Sequence, residues 1–211
     1  MCGIAGWFDL KDHRSCDRAL LHAMTDAIAH RGPDGDGHHF EPGLGLGHRR
    51  LAVIDLVTGA QPMFSPDRTI CLVFNGEIFN FRELRLELEG RGHAFTTQSD
   101  TEVIMEAWRE WGRDCVNHLT GQFAFALWDR SQDTLFLARD RLGVKPLHYV
   151  RLPDASIAFA SEIKALLTLP TLRVSANLTA VEDFLAFGYV PDDNCIVNGI
   201  EKLPAVSSAW Q

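Results

Sequence analysis

Apolar residues come in short blocks along this chain, and the spacing inside each block predicts its shape. Gly3-Ile4-Ala5-Gly6-Trp7-Phe8 is an apolar run of strand length. The stretch from Asp17 to Gly32 then sets Leu20, Leu21, Met24 and Ile28 on one helical face, and Gly32-Pro33 stops it. A turn-rich RGPDGDG follows. The alternation and β-branched residues of LGLGHRRLAVID predict a strand down to Asp55, and ICLVF (70–74) predicts another that ends at Asn75-Gly76-Glu77. Two helix starts come next: Asn80 as the cap of the segment containing Glu83, and Ser99-Asp100-Thr101-Glu102 as a capping box ahead of VIMEAWREW. QFAFALWD places Phe123, Phe125 and Leu127 on one face and Ala124, Ala126 and Trp128 on the other, so this strand is covered on both sides and is central. DRSQDT turns the chain into TLFLAR as an antiparallel hairpin. RDRLGVKPLHY leads into short strands, and SEIKALL and TAVEDFLAF are helical by period. Strands apolar on both faces, hairpins and grouped helices predict a layered α+β sandwich rather than alternating βαβ units. From about Gly188 the periodicity is lost around Pro191 and Pro204, as in a linker or an edge segment.

Composition narrows the chemistry. The 211 residues, 46% hydrophobic and 23% charged, suit one large globular domain. Twenty-eight acids against 20 bases give a net charge of −8, with no basic stripe for a phosphate backbone, so nucleic acid is not an expected partner. No run reaches the roughly 18 apolar residues of a membrane span, and no secretory signal pattern opens the chain. A cytoplasmic protein that does not engage a membrane is expected. Five scattered cysteines (Cys2, Cys16, Cys71, Cys115, Cys195), with no C-x-x-C pair, read as thiols in a reducing compartment. The nine histidines form no H-E-x-x-H or H-x-x-x-H, and His38 and His39 point to opposite sides of an extended chain, so no metal is expected.

Cys2 is the candidate with the most chemistry. An α-amino group has a pKa of about 7.7–8.0 and a cysteine thiol of about 8.5, so a cysteine at a mature N-terminus carries nucleophile and base on one residue. Removal of Met1 is required, since an amide nitrogen accepts no proton, and Gly3 leaves room for a substrate to approach the backbone. The competing reading is a small hydrophobe at the edge of the first strand.

The motifs decide between them. Cys2-Gly3-Ile4-Ala5-Gly6, the RGPDG of 31–35, GHRRL of 47–51, GAQP of 59–62, NGEI of 75–78, SDTE of 99–102, GQFAFA of 121–126, ARDRLGVKP of 138–146 and SEIKA of 161–165 run in one order. In that order and spacing the chain resembles the N-terminal glutaminase domain of glutamine-hydrolysing asparagine synthetases, class II amidotransferases of the N-terminal nucleophile hydrolase fold. The resemblance spans about residues 2–205 and implies a four-layer αββα sandwich of two mainly antiparallel sheets. It assigns 2–187 to the glutaminase domain and 188–211 to an edge segment or linker towards a C-terminal ATP-dependent synthetase domain.

Glutamine presents a carboxylate, an ammonium and a side-chain amide, and each needs a partner. Arg50 offers a bidentate fork and matches the carboxylate binder; Arg49 is expected to face solvent. Asp100 resembles the ammonium binder, with Glu77 a second acid nearby, although an acid at a helix N-terminus is also favoured by the dipole. Asn75 and Gly76 match the oxyanion hole, with a hairpin turn at Asn-Gly as the plainer alternative. Val53 and Ile54 are expected to line the pocket. The implied mechanism is acyl transfer: Cys2 attacks the amide, ammonia leaves, and water hydrolyses the thioester to glutamate. RGPDG and RDRLGVKP are expected to be structural loops.

The S-G-G-x-D-S pyrophosphate loop of the synthetase half does not occur, and the chain stops after KLPA where that half is expected to begin. No cofactor is expected here; ATP and magnesium belong to the synthetase half, and the resemblance allows a homodimer. Two alternatives stand beside this reading. The domain of a related enzyme acting on another acceptor, such as a β-lactam synthetase or a polysaccharide-cluster amidotransferase, is one; a non-catalytic glutamine-binding module is the other.

Overall fold

The first apolar run forms β1 (Gly3–Asp9), every residue of it buried. The structure, a computed structural model, describes residues 1–9, 11–192 and 194–205 and the backbone of 208–210. Antiparallel pairing places β1 between β3 (Leu44–Arg50) and β9 (Ser156–Ala160). With β2 (Gly35–Glu41), β8 (His148–Arg151) and β10 (Ile200–Lys202) they make a six-stranded sheet ordered β10-β8-β9-β1-β3-β2. The second sheet runs β11-β7-β6-β5-β4. Its central strand is β6 (Gly121–Asp129), between β5 (Ile70–Ile78) and β7 (Thr134–Arg139), with β4 (Met63–Phe64) and β11 (Ser208–Trp210) at its edges.

Period-2 alternation distributes the strand residues among three cores. Ile4, Phe8, Leu44 and Leu46 meet Cys71, Val73, Ala124 and Ala126 between the sheets. The opposite face of the second sheet, with Leu72, Phe74, Phe123 and Phe125, packs on α2 (Phe81–Gly90) through Leu84 and Leu88 and on α3 (Asp100–Trp111) through Val103, Ile104 and Ala107. The opposite face of the first sheet, with Ala5 and Trp7, packs on α1 (Arg18–Ala27) through Leu21 and Met24 and on α5 (Ile163–Leu166) through Ala165 and Leu166. Three cores separated by two sheets give the expected αββα layers. A short α4 (Cys115–His118) follows α3, and α6 (Leu178–Phe187) buries only Ala180.

Several local expectations are corrected. β3 stops at Arg50 rather than Asp55, because the Arg50 guanidinium donates to the Asp55 and Leu56 carbonyls and curls the chain back on itself. Asp55 takes a left-handed backbone (φ 51°) and ties the loop by accepting from Thr58 and from the Gln98 N–H. Asn75-Gly76 lies inside β5 and is no turn. Asn80 precedes α2 but makes no cap bond; its amide bridges the His118 carbonyl and the Thr120 N–H. Ser99 does cap α3, accepting from the Thr101 N–H, whereas Glu102 turns away from the box to accept the Thr96 and Thr97 N–H groups. Arg49 does not face solvent: it donates to the Thr25 carbonyl and pairs with Asp26. Within the tail, β10 pairs with β8 and β11 with β7, so these residues extend the sheet edges; residues 193, 206, 207 and 211 lie outside the described ones.

Candidate active site

Cys2 sits immediately before the central strand of the first sheet, and three motifs far away in sequence hold it there. The Ser161 hydroxyl accepts the Ile4 N–H at 3.0 Å, and the Ser161 N–H donates to the Ile4 carbonyl at 2.9 Å. Arg31 donates from Nε to the Cys2 carbonyl at 2.8 Å and pairs through Nη1 with Glu162 at 2.7 Å. Burial works to raise the Glu162 carboxyl, but hydrogen bonds from Arg31, Lys164 and His30 outweigh it and hold the group at about 2, so the clamp stays charged. The Cys2 thiol is half-buried; its sulfur accepts the Leu51 N–H at 3.3 Å. Burial raises the thiol pKa, while the Leu51 N–H, the chain-terminal ammonium and Arg50 pull it back.

Arg50 enters the site from the end of β3, and the loop after it brings Val53 and Ile54 to the same cavity. Asn75 comes from β5. Its side chain is fully buried, and neither its nitrogen nor its oxygen has a hydrogen-bond partner among the described residues. A buried carboxamide left open in this way costs stability unless a ligand completes it. The neighbouring Gly76 is sterically required, since a Cβ there would lie 2.2 Å from the Gln122 carbonyl oxygen. Asp100 opens α3, and its Oδ2 accepts the Ile78 N–H at 3.1 Å. Burial, together with the nearby Glu77 charge, raises its carboxyl to about 6.

All eight residues predicted for the site, Cys2, Arg50, Val53, Ile54, Asn75, Gly76, Glu77 and Asp100, line one cavity of about 170 Å³. That is smaller than the roughly 300–1,000 Å³ of sites for drug-sized ligands, and it suits a single amino acid. Arg31, Gln61, Gln122 and Lys145 were not predicted. Gln61, Gln122 and Lys145 line the cavity, and Arg31 reaches the Cys2 carbonyl. RGPDG and RDRLGVKP, expected to be only structural loops, supply Arg31 and Lys145, and the motifs themselves were the signal. Cys16, Cys71 and Cys115 are buried elsewhere, and burial pushes their thiols up, Cys16 and Cys115 to about 12. Among the described residues, no group of three or more His, Cys, Asp or Glu is placed to hold a metal ion, and no helix is long and apolar enough to cross a membrane.

Two layered antiparallel sheets covered by helices on their outer faces, with a cysteine just before β1 and a cavity beside it, form an αββα sandwich. The chain belongs to the glutamine amidotransferase domain family, whose profile matches residues 1–210. It is homologous to the glutaminase part of glutamine-hydrolysing asparagine synthetases. It is 43% identical over 190 residues to asparagine synthetase [glutamine-hydrolyzing] 3 of Bacillus subtilis (strain 168), covering 89% of this chain and 31% of that protein. Asparagine synthetase [glutamine-hydrolyzing] 2 of the same strain is 44% identical over 172 residues, 81% of this chain and 23% of that protein. The chain thus spans a third or less of the length of these relatives. The fold is shared with the glutamine phosphoribosylpyrophosphate amidotransferase of B. subtilis solved with ADP and GMP (TM-score 0.65, 22% identity, 79% of this chain and 43% of that one).

Proposed function

We propose that this domain hydrolyses L-glutamine to glutamate and ammonia, and that the ammonia serves an asparagine synthetase reaction. The observation that carries this reading is the fully buried Asn75 carboxamide, without a partner among the described residues, in the cavity that also holds the Cys2 thiol. A donor waiting without a partner is what a developing oxyanion needs, and losing such a donor typically costs about 10²–10³ in kcat.

Removal of Met1 frees the Cys2 amine, which takes the thiol proton, directly or through a water. The thiolate attacks the γ-carbonyl, and the negative charge forms on an oxygen facing the Asn75 amide and the Gly76 N–H. Arg50 holds the substrate carboxylate, exchanging its loop carbonyls for it, and Asp100, with Glu77, holds the ammonium. The tetrahedral species expels ammonia, which takes its third proton from the amine, and water then hydrolyses the Cys2 thioester to glutamate.

The names of the relatives support aspartate as the acceptor, with ATP and magnesium used in a synthetase region and not in this cavity. Five free cysteines, four of them buried, support a reducing, cytoplasmic setting. The test is an intact mass followed by ammonia release from glutamine, for the wild type and for Cys2→Ala. A chain lacking Met1 that releases ammonia only when Cys2 is present is expected; a Cys2→Ala protein that hydrolyses glutamine as fast refutes the mechanism.

A further inference from the structure

The GAQP motif has no part in the chemistry above, yet Gln61 lies on the cavity wall. Its surroundings follow from how β4 ends. β4 pairs with β5 at Met63↔Leu72 and Phe64↔Cys71, and extending this register sets Gln61 opposite Phe74. The pairing does not continue there. The Gln61 carbonyl is turned towards β2, where a Cβ on Gly37 would lie 2.0 Å from it, so only glycine lets the two backbones come this close. The Gln61 side chain takes over: Oε1 accepts the Phe74 N–H at 2.6 Å, while Nε2 donates to the Thr101 hydroxyl at 3.3 Å.

The consequence falls on Gly76. Phe79 donates to the Thr120 carbonyl and the Thr69 carbonyl accepts from Arg130, so odd-numbered residues along β5 turn their backbone groups towards β6. Even-numbered residues turn theirs the other way, Ile70 and Leu72 to the β4 side and, past the end of β4, Phe74, Gly76 and Ile78 to the cavity edge. Along that edge the Phe74 N–H is held by Gln61 and the Ile78 N–H by Asp100, and the Gly76 N–H points out between them. A continued β4 would have covered it. A side chain in place of a strand leaves a gap one strand wide without abandoning Phe74.

We propose, resting on the glutaminase reading, that Gln61 is a positioning residue for amide cleavage. It holds the β5 edge so that the Gly76 N–H aims at the developing oxyanion, and through Thr101 it ties that edge to the start of α3, which carries Asp100. Its effect belongs to the transition state, because the oxyanion exists only there.

The experiment compares wild type, Gln61→Met and Thr101→Val in glutamine hydrolysis. It also measures binding of glutamate and of glutamate γ-semialdehyde, an aldehyde that adds the Cys2 thiol as a hemithioacetal, the thiol proton passing to the Cys2 amine or to the new oxygen, and so puts a tetrahedral oxygen where the oxyanion would form. Gln61→Met is expected to lower kcat about tenfold or more and to weaken the aldehyde by a similar factor, with KM and glutamate affinity within about threefold. Thr101→Val, which removes only the tie to α3, is expected to lower kcat about threefold, and it carries the test should Gln61→Met not fold. Unchanged kcat in either variant, a loss confined to KM, or equal weakening of glutamate and aldehyde overturns the proposal. A wild type that hydrolyses no glutamine overturns the function itself, an outcome separate from any difference between the variants.

Discussion

Replacing Asp100 by Asn should make the domain more stable and less active. Asp100 is 4% exposed, and its carboxyl, mainly through burial, is raised from 3.8 to about 6. A raised carboxyl favours the folded state while protonated, below the unfolded pKa, and loses that benefit as pH rises through the folded one. At about 1.36 kcal/mol per tenfold change in proton affinity, a carboxyl raised from 3.8 to about 6 costs near 3 kcal/mol when ionised at pH 7.5. Asparagine carries no charge to desolvate and keeps an oxygen for the Ile78 N–H. The expected gain is therefore about 3 kcal/mol at pH 7.5, roughly half of it at pH 5, and almost none at pH 3.5, where Asp100 is mostly protonated in both states. For a domain of this size that corresponds to about 6–12 °C in Tm at neutral pH. Urea unfolding of both proteins across this range reads it directly. Activity moves the other way: kcat/KM for glutamine should fall about 10- to 100-fold, the worth of a hydrogen bond to a charged ammonium, and the wild type should lose kcat/KM below about pH 6 as Asp100 protonates. A variant no more stable at pH 7.5, or a gain that does not change with pH, refutes the assignment of the cost to the buried charge.

Asn75→Ala should lower kcat about 100- to 1,000-fold with little change in KM, and it should not destabilise the fold, because neither polar side-chain atom of Asn75 has a partner to lose among the described residues. Steady-state kinetics and a melting curve test both, and a kcat within threefold of wild type would remove Asn75 from the oxyanion site. Arg50→Lys should raise KM for glutamine at least tenfold, since an ammonium cannot form the bidentate fork. It should also make the 51–58 loop a faster target for limited proteolysis, as the guanidinium contacts to Asp55 and Leu56 are lost. An unchanged KM would place the substrate carboxylate elsewhere.

Elements defined by period alone were legible in the sequence. β6 has apolar residues on both faces because each face meets a different core, and Phe125 and Ala126 fall on opposite sides as alternation requires. α1 was legible for the same reason, its buried Leu21 and Met24 lying on one stripe. Boundaries set by side chains reaching back to the main chain were not. Nothing in the alternation of residues 44–55 says that Arg50 will bind the carbonyls of Asp55 and Leu56, and the β-branched Val53 and Ile54, which look like strand, instead line a cavity. Glu102 has the spacing of a capping box, but two threonine N–H groups six and five residues earlier compete for it and win.

The site divides in the same way. Eight residues that line the cavity were readable from motifs, because a thiol, a guanidinium, a carboxamide and a carboxylate are each expected to meet a different part of glutamine. The residues that aim them were not, because aiming is a matter of contact: Ser161 and Glu162 act on Ile4 and Arg31 across 157 and 131 positions of sequence. Gln61 is the sharper example. It is only 13 residues from Phe74, yet its bond exists because β4 stops short and Gly37 lets the backbone turn away. A motif marks such a residue but does not say what it does, since its function lies in which strand it replaces.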